Sequence, residues 1–287
     1  MGNKILITSD STTDLSPELR SKNGIVLMHL AIQLGDKEYR DGVDITPEEI
    51  YKNYEETGEL PKTSATGYAE GVEFFKQFVD QGYEIVHFTI SSEMSSTYHT
   101  MCMAAENFEN VYVVDTRNLS TGGGLLVMSA VKLREEGYSA KEIAEKCREI
   151  APRVDASFII DNLEFLHKGG RCSAVAAFGA NLLSLKPCIA VENGKMGVKK
   201  KYRGKFEIVL KQYIRDRIGD ASDIEKDIIF VTHAGCEDRI AQDCAELVKT
   251  LGDFKNLYIT RAGCSVSSHC GKNTLGVLFI RNHPIVQ

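Results

Sequence analysis

The feature that most constrains the fold is an alternation of short apolar runs with amphipathic stretches in the first half of the chain. The apolar runs occupy residues 4–8, 25–32, 84–90 and 111–115. The stretches between them carry apolar residues at helical spacing. Parallel strands need long crossover connections, which are usually helices. The alternation therefore predicts an α/β fold with a mostly parallel sheet that is sandwiched by helices.

Two helix starts are marked by capping residues. In "TPEE", Thr46 suits the N-cap, Pro47 the first helical position and Glu49 the closing position of a capping box. In "SAKE", Ser139 and Glu142 have the same relation. We therefore expect helices to begin directly after Thr46 and Ser139.

The second half of the chain predicts a different architecture. Asn193-Gly194 separates two strand-like runs, which is a strong signal for an antiparallel hairpin. Further strands are expected at 156–160, 227–233, 257–261 and 275–280, with helices near 207–217 and 237–251. These elements indicate an α+β domain with a mixed sheet. We therefore expect an N-terminal α/β domain at 1–154, a C-terminal domain at 155–287 and a ligand site between them.

Composition narrows the classes of function. A length of 287 residues fits two domains. The net charge of −6 disfavours a nucleic-acid partner, because proteins that bind nucleic acids are usually basic. No apolar run reaches the roughly 18 residues of a transmembrane segment, and the first residues lack a signal-peptide core. We therefore expect a cytoplasmic protein whose eight cysteines are reduced.

Hydroxyl-rich turns follow three of the predicted strands. They are "SDSTTD" (9–14), "SSEMSST" (91–97) and "TRNLSTGGG" (116–124). Ligands of open α/β sheets bind beyond the carboxyl ends of the strands. One hydroxyl in such a turn is usually a helix cap, but three such turns offer many neutral donors at one edge. This pattern favours an anion as the ligand.

Other site types are poorly matched. "GGGLLV" and "CGKN" both depart from glycine-rich nucleotide-binding loops, and the chain has no G-x-S-x-G nucleophile elbow. Cys264, His269 and Cys270 lack the second half of a usual zinc site. His269 is instead the histidine best placed for ligand contact, because it lies among hydroxyls and glycines. Arg171 in "HKGGRCS" and Arg203 in "KKKYRGK" are candidates for contact with a phosphate or a protein partner, although a basic hairpin can also simply be a solvated edge.

Taken in order, these motifs resemble DegV-type proteins, the fatty-acid-binding subunits of bacterial fatty-acid kinases. The resemblance covers nearly the whole chain and is carried by "SDSTTDL", "PKTSAT", "ISSEMSSTY", "VVDTRNLSTGGG", "FLHKGGR", "KKYRGK" and "SSHCGKNTLG". It implies two domains with a long-chain fatty acid, such as palmitate, stearate or oleate, between them. It also implies a non-catalytic subunit without a cofactor, which presents the acid to a separate ATP-dependent kinase for acyl-phosphate formation.

The resemblance assigns the site residue by residue. It places the Lys-Thr-Ser motif on Lys62, Thr63 and Ser64, the serine loop on Ser91, Ser92 and Ser95, and the late histidine on His269. We expect Thr63, Ser95 and His269 to clamp the carboxylate. Arg171 and Arg203 are expected to contact the phosphoryl group or the kinase. Apolar residues that can line the acyl chain, each also suited to an ordinary core, are Met94, Phe158, Leu163, Phe165, Leu166, Leu182 and Leu183.

Three positions depart from the family's usual motifs. Ser96 replaces a glycine, Thr66 stands near the place of a proline, and Lys272 and Asn273 replace proline and glycine after His269. Two other functions stay open. One is a hydrolase or transferase acting on a small acyl or phosphate substrate at the same strand-end site, and the other is a module that senses lipid.

Overall fold

The computed structural model describes residues 4–172 and 185–285. The first sheet is formed by strands from the four apolar runs of the N-terminal half. The sheet is parallel throughout and has the strand order β2-β1-β6-β7. Its strands are β1 (Lys4–Asp10), β2 (Ile25–Met28), β6 (Tyr83–Thr89) and β7 (Val111–Asp115). The prediction of a parallel N-terminal sheet is confirmed.

Helices cover both faces of this sheet. Ile85 packs towards one face with Phe75 and Met101, whereas the next residue, Val86, packs towards the other with Leu126. Successive side chains of a strand point to opposite faces, so both faces must be covered. The helices are α1 (Pro17–Asn23), α3 (Tyr68–Val79), α4 (Thr97–Ala105), α5 (Thr121–Glu135) and α6 (Ala140–Ile150).

A small antiparallel sheet is inserted after β2. Its order is β4-β3-β5, with strands β3 (Ala31–Leu34), β4 (Lys37–Arg40) and β5 (Lys62–Thr63), and α2 (Pro47–Thr57) precedes β5. The prediction of one strand over 25–32 was therefore wrong. The chain leaves the parallel sheet after Met28, and the amide of Leu30 instead donates to the Ser11 hydroxyl at 3.2 Å. This sheet brings Thr63 to the edge of the site.

The second sheet is mixed, as predicted, with the order β10-β9-β8-β13-β11-β12. Asn193 and Gly194 both have positive φ, which a tight hairpin turn of this kind requires. The strands are β8 (Val154–Ile160), β9 (Leu185–Glu192), β10 (Lys195–Arg203), β11 (Ile224–Ala234), β12 (Asn256–Arg261) and β13 (Thr274–Arg281). The helices are α7 (Glu164–Gly169), α8 (Phe206–Ile218), α9 (Asp238–Leu251) and α10 (Cys264–Cys270).

A continuous core joins the two sheets. Leu125 and Leu126 of α5 belong to one apolar cluster with Phe158 and Leu278 of the second sheet. The opposite face of that sheet is covered by α8 and α9, with Tyr213 fully buried. The two halves of the chain are therefore packed against a shared helix. The boundary near residue 154, where β8 begins, stays a prediction.

The predicted helix starts are confirmed. Thr46 and Ser139 each accept a hydrogen bond from the amide three residues later, and Glu49 and Glu142 close both capping boxes. The eight cysteines are free thiols. Among residues 4–172 and 185–285, no helix combines the length and apolar character that crossing a membrane requires.

Candidate functional site

A cavity of about 300 Å³ lies where β5, the serine-rich loop 91–96 and α10 meet. Its rim contains the exposed residues Ser64, Ser96 and Arg171, and its floor contains the buried residues Thr12 and Ser265. Apolar side chains form most of the remaining wall, and they are Leu30, Ile90, Met94, Leu119, Met196 and Val266. The cavity therefore joins a polar, partly basic mouth to an apolar interior.

Thr63 and His269 meet at this cavity. The Thr63 hydroxyl lies 2.9 Å from Nε2 of His269, although the two residues are 206 positions apart in the chain. Pairing of Thr63 with Ile32 fixes the threonine on β5, and α10 carries the histidine. The structure thus brings two of the three predicted clamp residues into direct contact.

His269 is neutral at physiological pH. Burial lowers the pKa of its imidazole to about 4, and the positive charge of Arg171 acts in the same direction. Its Nδ1 atom is buried and has no hydrogen-bond partner within the described part of the chain. Gly169 lies against this atom, and a Cβ at position 169 would be only 2.4 Å from Nδ1. A glycine at this position therefore leaves room for the imidazole.

Two carboxyl groups of the N-terminal half hold the start of α10. Asp14 Oδ1 accepts a hydrogen bond from the Gly263 amide at 2.7 Å. Asp41 accepts from the amides of Cys264 at 2.7 Å and Ser265 at 3.2 Å. Exposed amides at a helix start need such acceptors, so these contacts fix the helix that carries His269.

The hydroxyl content of the turn 9–14 predicted neutral donors for an anion. The structure instead shows these hydroxyls bound within the protein. Asp10 accepts from the Ile90 amide at 2.7 Å and from the Thr12 hydroxyl at 2.6 Å, so its carboxyl joins two strand ends. Burial raises the pKa of Asp10 to about 6 and that of Asp14 to about 8. Two of the four hydroxyls of this turn, those of Ser11 and Thr12, donate to buried carboxyl groups, and those of Ser9 and Thr13 hydrogen-bond to each other.

The serine-rich loop divides its hydroxyls between two tasks. Ser91 donates to the Gly194 carbonyl at 2.7 Å and Ser92 donates to Asp115, so both hold neighbouring segments. Ser95 and Ser96 line the cavity. The Ser95 hydroxyl also accepts from the Thr97 amide at 3.2 Å, which helps to begin α4. Much of the hydroxyl content of this loop is therefore structural.

Two predicted site residues do not line the cavity. Ser92 is turned away because its hydroxyl is bound to Asp115. Arg203 lies exposed at the end of β10, opposite Leu185, and is likewise absent from the cavity wall. Thr63, Ser64, Ser95, Arg171 and His269 all line it.

Most of the apolar residues predicted to line the acyl chain do not line the cavity. Met94 lines the cavity. Phe158, Leu163, Phe165 and Leu166 are buried but do not line it. Leu182 and Leu183 lie outside the described residues.

Thr12 and Ser265 line the cavity but were not predicted as site residues. Thr12 belongs to a turn that was singled out for its hydroxyls, so a signal for it existed. Ser265 begins the run Ser-Val-Ser-Ser at 265–268. It precedes His269 by four residues, and in a helix this spacing places both side chains on one face, so the spacing was a signal for Ser265 as a site residue. Within the described ranges, no cluster of three metal-ligating side chains occurs.

A larger cavity of about 350 Å³ lies beside the β9–β10 turn. Its wall includes Arg117 and Arg148, but also Asp115 and Glu192. Its apolar residues, among them Val154, Val191 and Ile285, lie together with both signs of charge, and it contains none of the predicted site residues. The smaller cavity at Thr63 and His269 is therefore the better candidate site.

The positions that depart from the usual family motifs fit this structure. Asn273 has φ of 59°, in the left-handed region that asparagine tolerates better than most residues. Lys272 lies 3.7 Å from Glu55 in an exposed ion pair. Thr66 is buried, with its hydroxyl near the Met28 sulfur. These substitutions leave the contact between Thr63 and His269 in place.

Fold and site together define an α/β protein with three sheets and an amphiphilic cavity where the small sheet, the serine-rich loop and α10 meet. The chain belongs to the DegV family, whose model matches residues 4–282. It is 33% identical to a DegV domain-containing protein of Clostridium acetobutylicum, over 98% of this chain and 99% of the relative. The predicted family is confirmed.

Solved structures of the family share this fold. A DegV family protein from Thermus thermophilus, described by its fatty acid binding, has a TM-score of 0.87 and 27% identity, covering 97% of this chain and 99% of the other. A stearic-acid-binding protein from Eubacterium ventriosum has a TM-score of 0.82 and 26% identity, covering 96% and 98%. Both N- and C-terminal halves of the chain are thus matched.

Proposed function

We propose that this protein binds a long-chain fatty acid in the cavity at α10, with the carboxylate at Thr63, Ser95 and His269. The observation that carries the proposal is the contact of Thr63 with a neutral, half-buried His269 at an apolar cavity. The fatty acids bound by the Thermus and Eubacterium relatives support the same class of ligand.

The physical chemistry of the cavity fits an amphiphile. Burial of an acyl chain contributes roughly 0.8 kcal/mol per methylene group. An isolated carboxylate resists burial, so it needs hydrogen bonds to several of its roughly four acceptor positions. The hydroxyls of Thr63 and Ser95 offer such donors next to the apolar wall that contains Ile90, Met94 and Leu119. Nε2 of His269, bound to Thr63 at 2.9 Å, orients the threonine hydroxyl.

Neutral donors also suit a carboxylate that must react. A direct, bidentate ion pair would disperse the negative charge of the carboxylate, whereas hydroxyl donors leave it more nucleophilic. We therefore infer that the bound acid is presented to a separate ATP-dependent kinase, which forms the acyl phosphate. Arg171 at the cavity mouth and Arg203 on exposed β10 are our candidates for contact with the phosphoryl group or the kinase.

The enzyme alternative has less support. Thr63 and His269 resemble a nucleophile with its general base, which normally needs a third group to orient the histidine. In residues 4–172 and 185–285, Nδ1 of His269 finds no such group. The pair is therefore better suited to hold a ligand than to catalyse acyl transfer.

The first test is mass spectrometry of lipid extracted from the purified protein under denaturing conditions. We expect one long-chain fatty acid per chain, retained by wild type and by Ser92→Ala but reduced in Ser95→Ala and His269→Ala. Ser92 is the matched control because it lies in the same loop outside the cavity. Thermal unfolding of each variant separates loss of ligand from loss of fold.

An empty extract with no uptake of added palmitate or oleate would refute the binding proposal. Phosphorylation is tested separately, by adding a fatty-acid kinase subunit with ATP to the loaded protein. The loaded protein alone should neither form nor hydrolyse acyl phosphate. Turnover by the lone protein would instead favour the hydrolase or transferase.

A further inference from the structure

The floor of the cavity contains a hydroxyl that the fatty-acid site described above does not use. Ser265 is 4% exposed and lines the cavity. Its backbone amide donates to Asp41, but its hydroxyl has no hydrogen-bond partner anywhere in the described ranges. Buried hydroxyls are nearly always satisfied, so a free one that faces a cavity points to a ligand group.

The position of Ser265 relative to His269 limits where that ligand group can be. The two residues are four positions apart on α10, so they lie on one face of the helix about one turn apart. A carboxylate at Thr63 and His269 therefore leaves Ser265 near the carboxyl end of the acyl chain. The hydroxyl of Thr12, also on the floor, already donates to Asp10 at 2.6 Å.

A plain acyl chain would leave Ser265 unsatisfied. The Ser265 hydroxyl is already shielded from water, and methylene groups beside it provide no hydrogen bond, so a plain acyl chain leaves this buried donor without a partner. A hydroxyl farther along the chain would meet Ile90, Leu119 and Met196, whose side chains offer no oxygen or nitrogen. An oxygen close to the carboxylate is the one that finds a partner.

We propose that the cavity selects fatty acids that carry a hydroxyl on carbon 3, and that Ser265 recognises this hydroxyl. The inference rests on the fatty-acid binding proposed above and names the substrate class of the same site. Carbon 3 is two bonds from the carboxyl carbon, a short reach that suits one helical turn. Carbon 3 is chiral in such an acid, so a fixed serine must favour one enantiomer.

The test compares hexadecanoate with each enantiomer of 3-hydroxyhexadecanoate by isothermal titration of delipidated, full-length protein. The variants are Ser265→Ala and, as a matched control, Ser268→Ala. Ser268 is also buried on α10, but its hydroxyl is satisfied by the Cys264 carbonyl at 2.7 Å. We expect wild type and Ser268→Ala to bind one enantiomer roughly two- to tenfold more tightly than hexadecanoate, the range given by one hydrogen bond.

In Ser265→Ala this preference should disappear, while hexadecanoate binds as well as before or better. Equal affinity of wild type for the three acids, or an equal loss for all three in Ser265→Ala, would overturn the role of Ser265 while leaving fatty-acid binding intact. Failure of wild type to bind any of the three acids would instead refute the fatty-acid site itself, and the inference with it.

Discussion

Replacing Asp14 by asparagine should make the protein less sensitive to rising pH. Asp14 is buried between the two halves of the chain, where it accepts from the Gly263 amide and is hydrogen-bonded to Ser120. Burial raises its pKa to about 8, so the folded protein keeps this carboxyl protonated at neutral pH. An asparagine has the same shape, accepts from Gly263 through its carbonyl and cannot ionise.

The size of the effect follows from linkage between protonation and folding. The unfolded chain releases the Asp14 proton near pH 3.8, whereas the folded chain holds it to about pH 8. The stabilisation is therefore complete below the unfolded pKa and is lost as pH rises towards the folded pKa. Between these limits wild type should lose up to about 1.4 kcal/mol of unfolding free energy per pH unit relative to Asp14→Asn.

Urea unfolding of both proteins between about pH 5 and about pH 8, at constant ionic strength, measures this difference. The exposed Asp80, which pairs with Lys76 on the surface, provides the control variant Asp80→Asn. We expect the gap between Asp14→Asn and wild type to widen with pH, and the gap for Asp80→Asn to stay constant. Parallel curves for Asp14→Asn would show that Asp14 is ionised in the folded protein and would refute the reasoning.

Two further predictions concern the clamp. In the fatty-acid-free protein, NMR titration should give His269 a pKa of about 4, with its signal assigned by comparison with His269→Gln. A bound carboxylate should raise this pKa, because an opposite charge favours the imidazolium form. A pKa near the ordinary histidine value in the free protein would contradict the burial described here. Gly169→Ala should displace the imidazole and reduce fatty-acid retention at least severalfold, since its Cβ would lie 2.4 Å from Nδ1. Gly197→Ala, whose Cβ meets nothing within 4 Å, is the control, and equal retention by the two variants would argue against a fixed imidazole.

Local signals in the sequence predicted the elements well. The capping boxes at Thr46 and Ser139 and the hairpin at Asn193-Gly194 depend on residues a few positions apart, and all three are present. The prediction of one strand over 25–32 was wrong because hydrophobicity alone does not mark the point where a chain leaves one sheet for another. The tertiary contact of Leu30 with Ser11 decides that point.

Site residues were predicted less evenly. The family motifs led to Thr63, Ser95 and His269, which the structure brings to one cavity. They also led to Ser92 and Arg203, which lie outside it. Motif resemblance assigns a residue to a loop or strand, but the direction of each side chain depends on its hydrogen-bond partner. For Ser92 that partner is Asp115 on the neighbouring strand.

The sequence by itself determined the parallel N-terminal sheet, the mixed second sheet and the hydroxyl-rich turns, because periodicity, caps and turns are local properties, but it did not predict the small sheet of β3, β4 and β5. Only the tertiary structure decided which hydroxyls line the cavity and which satisfy buried carboxyl groups. It also decided that Thr63 meets His269 across 206 positions and that Ser265 remains free on the cavity floor. Such contacts depend on how the small sheet and α10 pack together, and a local sequence pattern does not specify the packing of elements that are far apart in the chain.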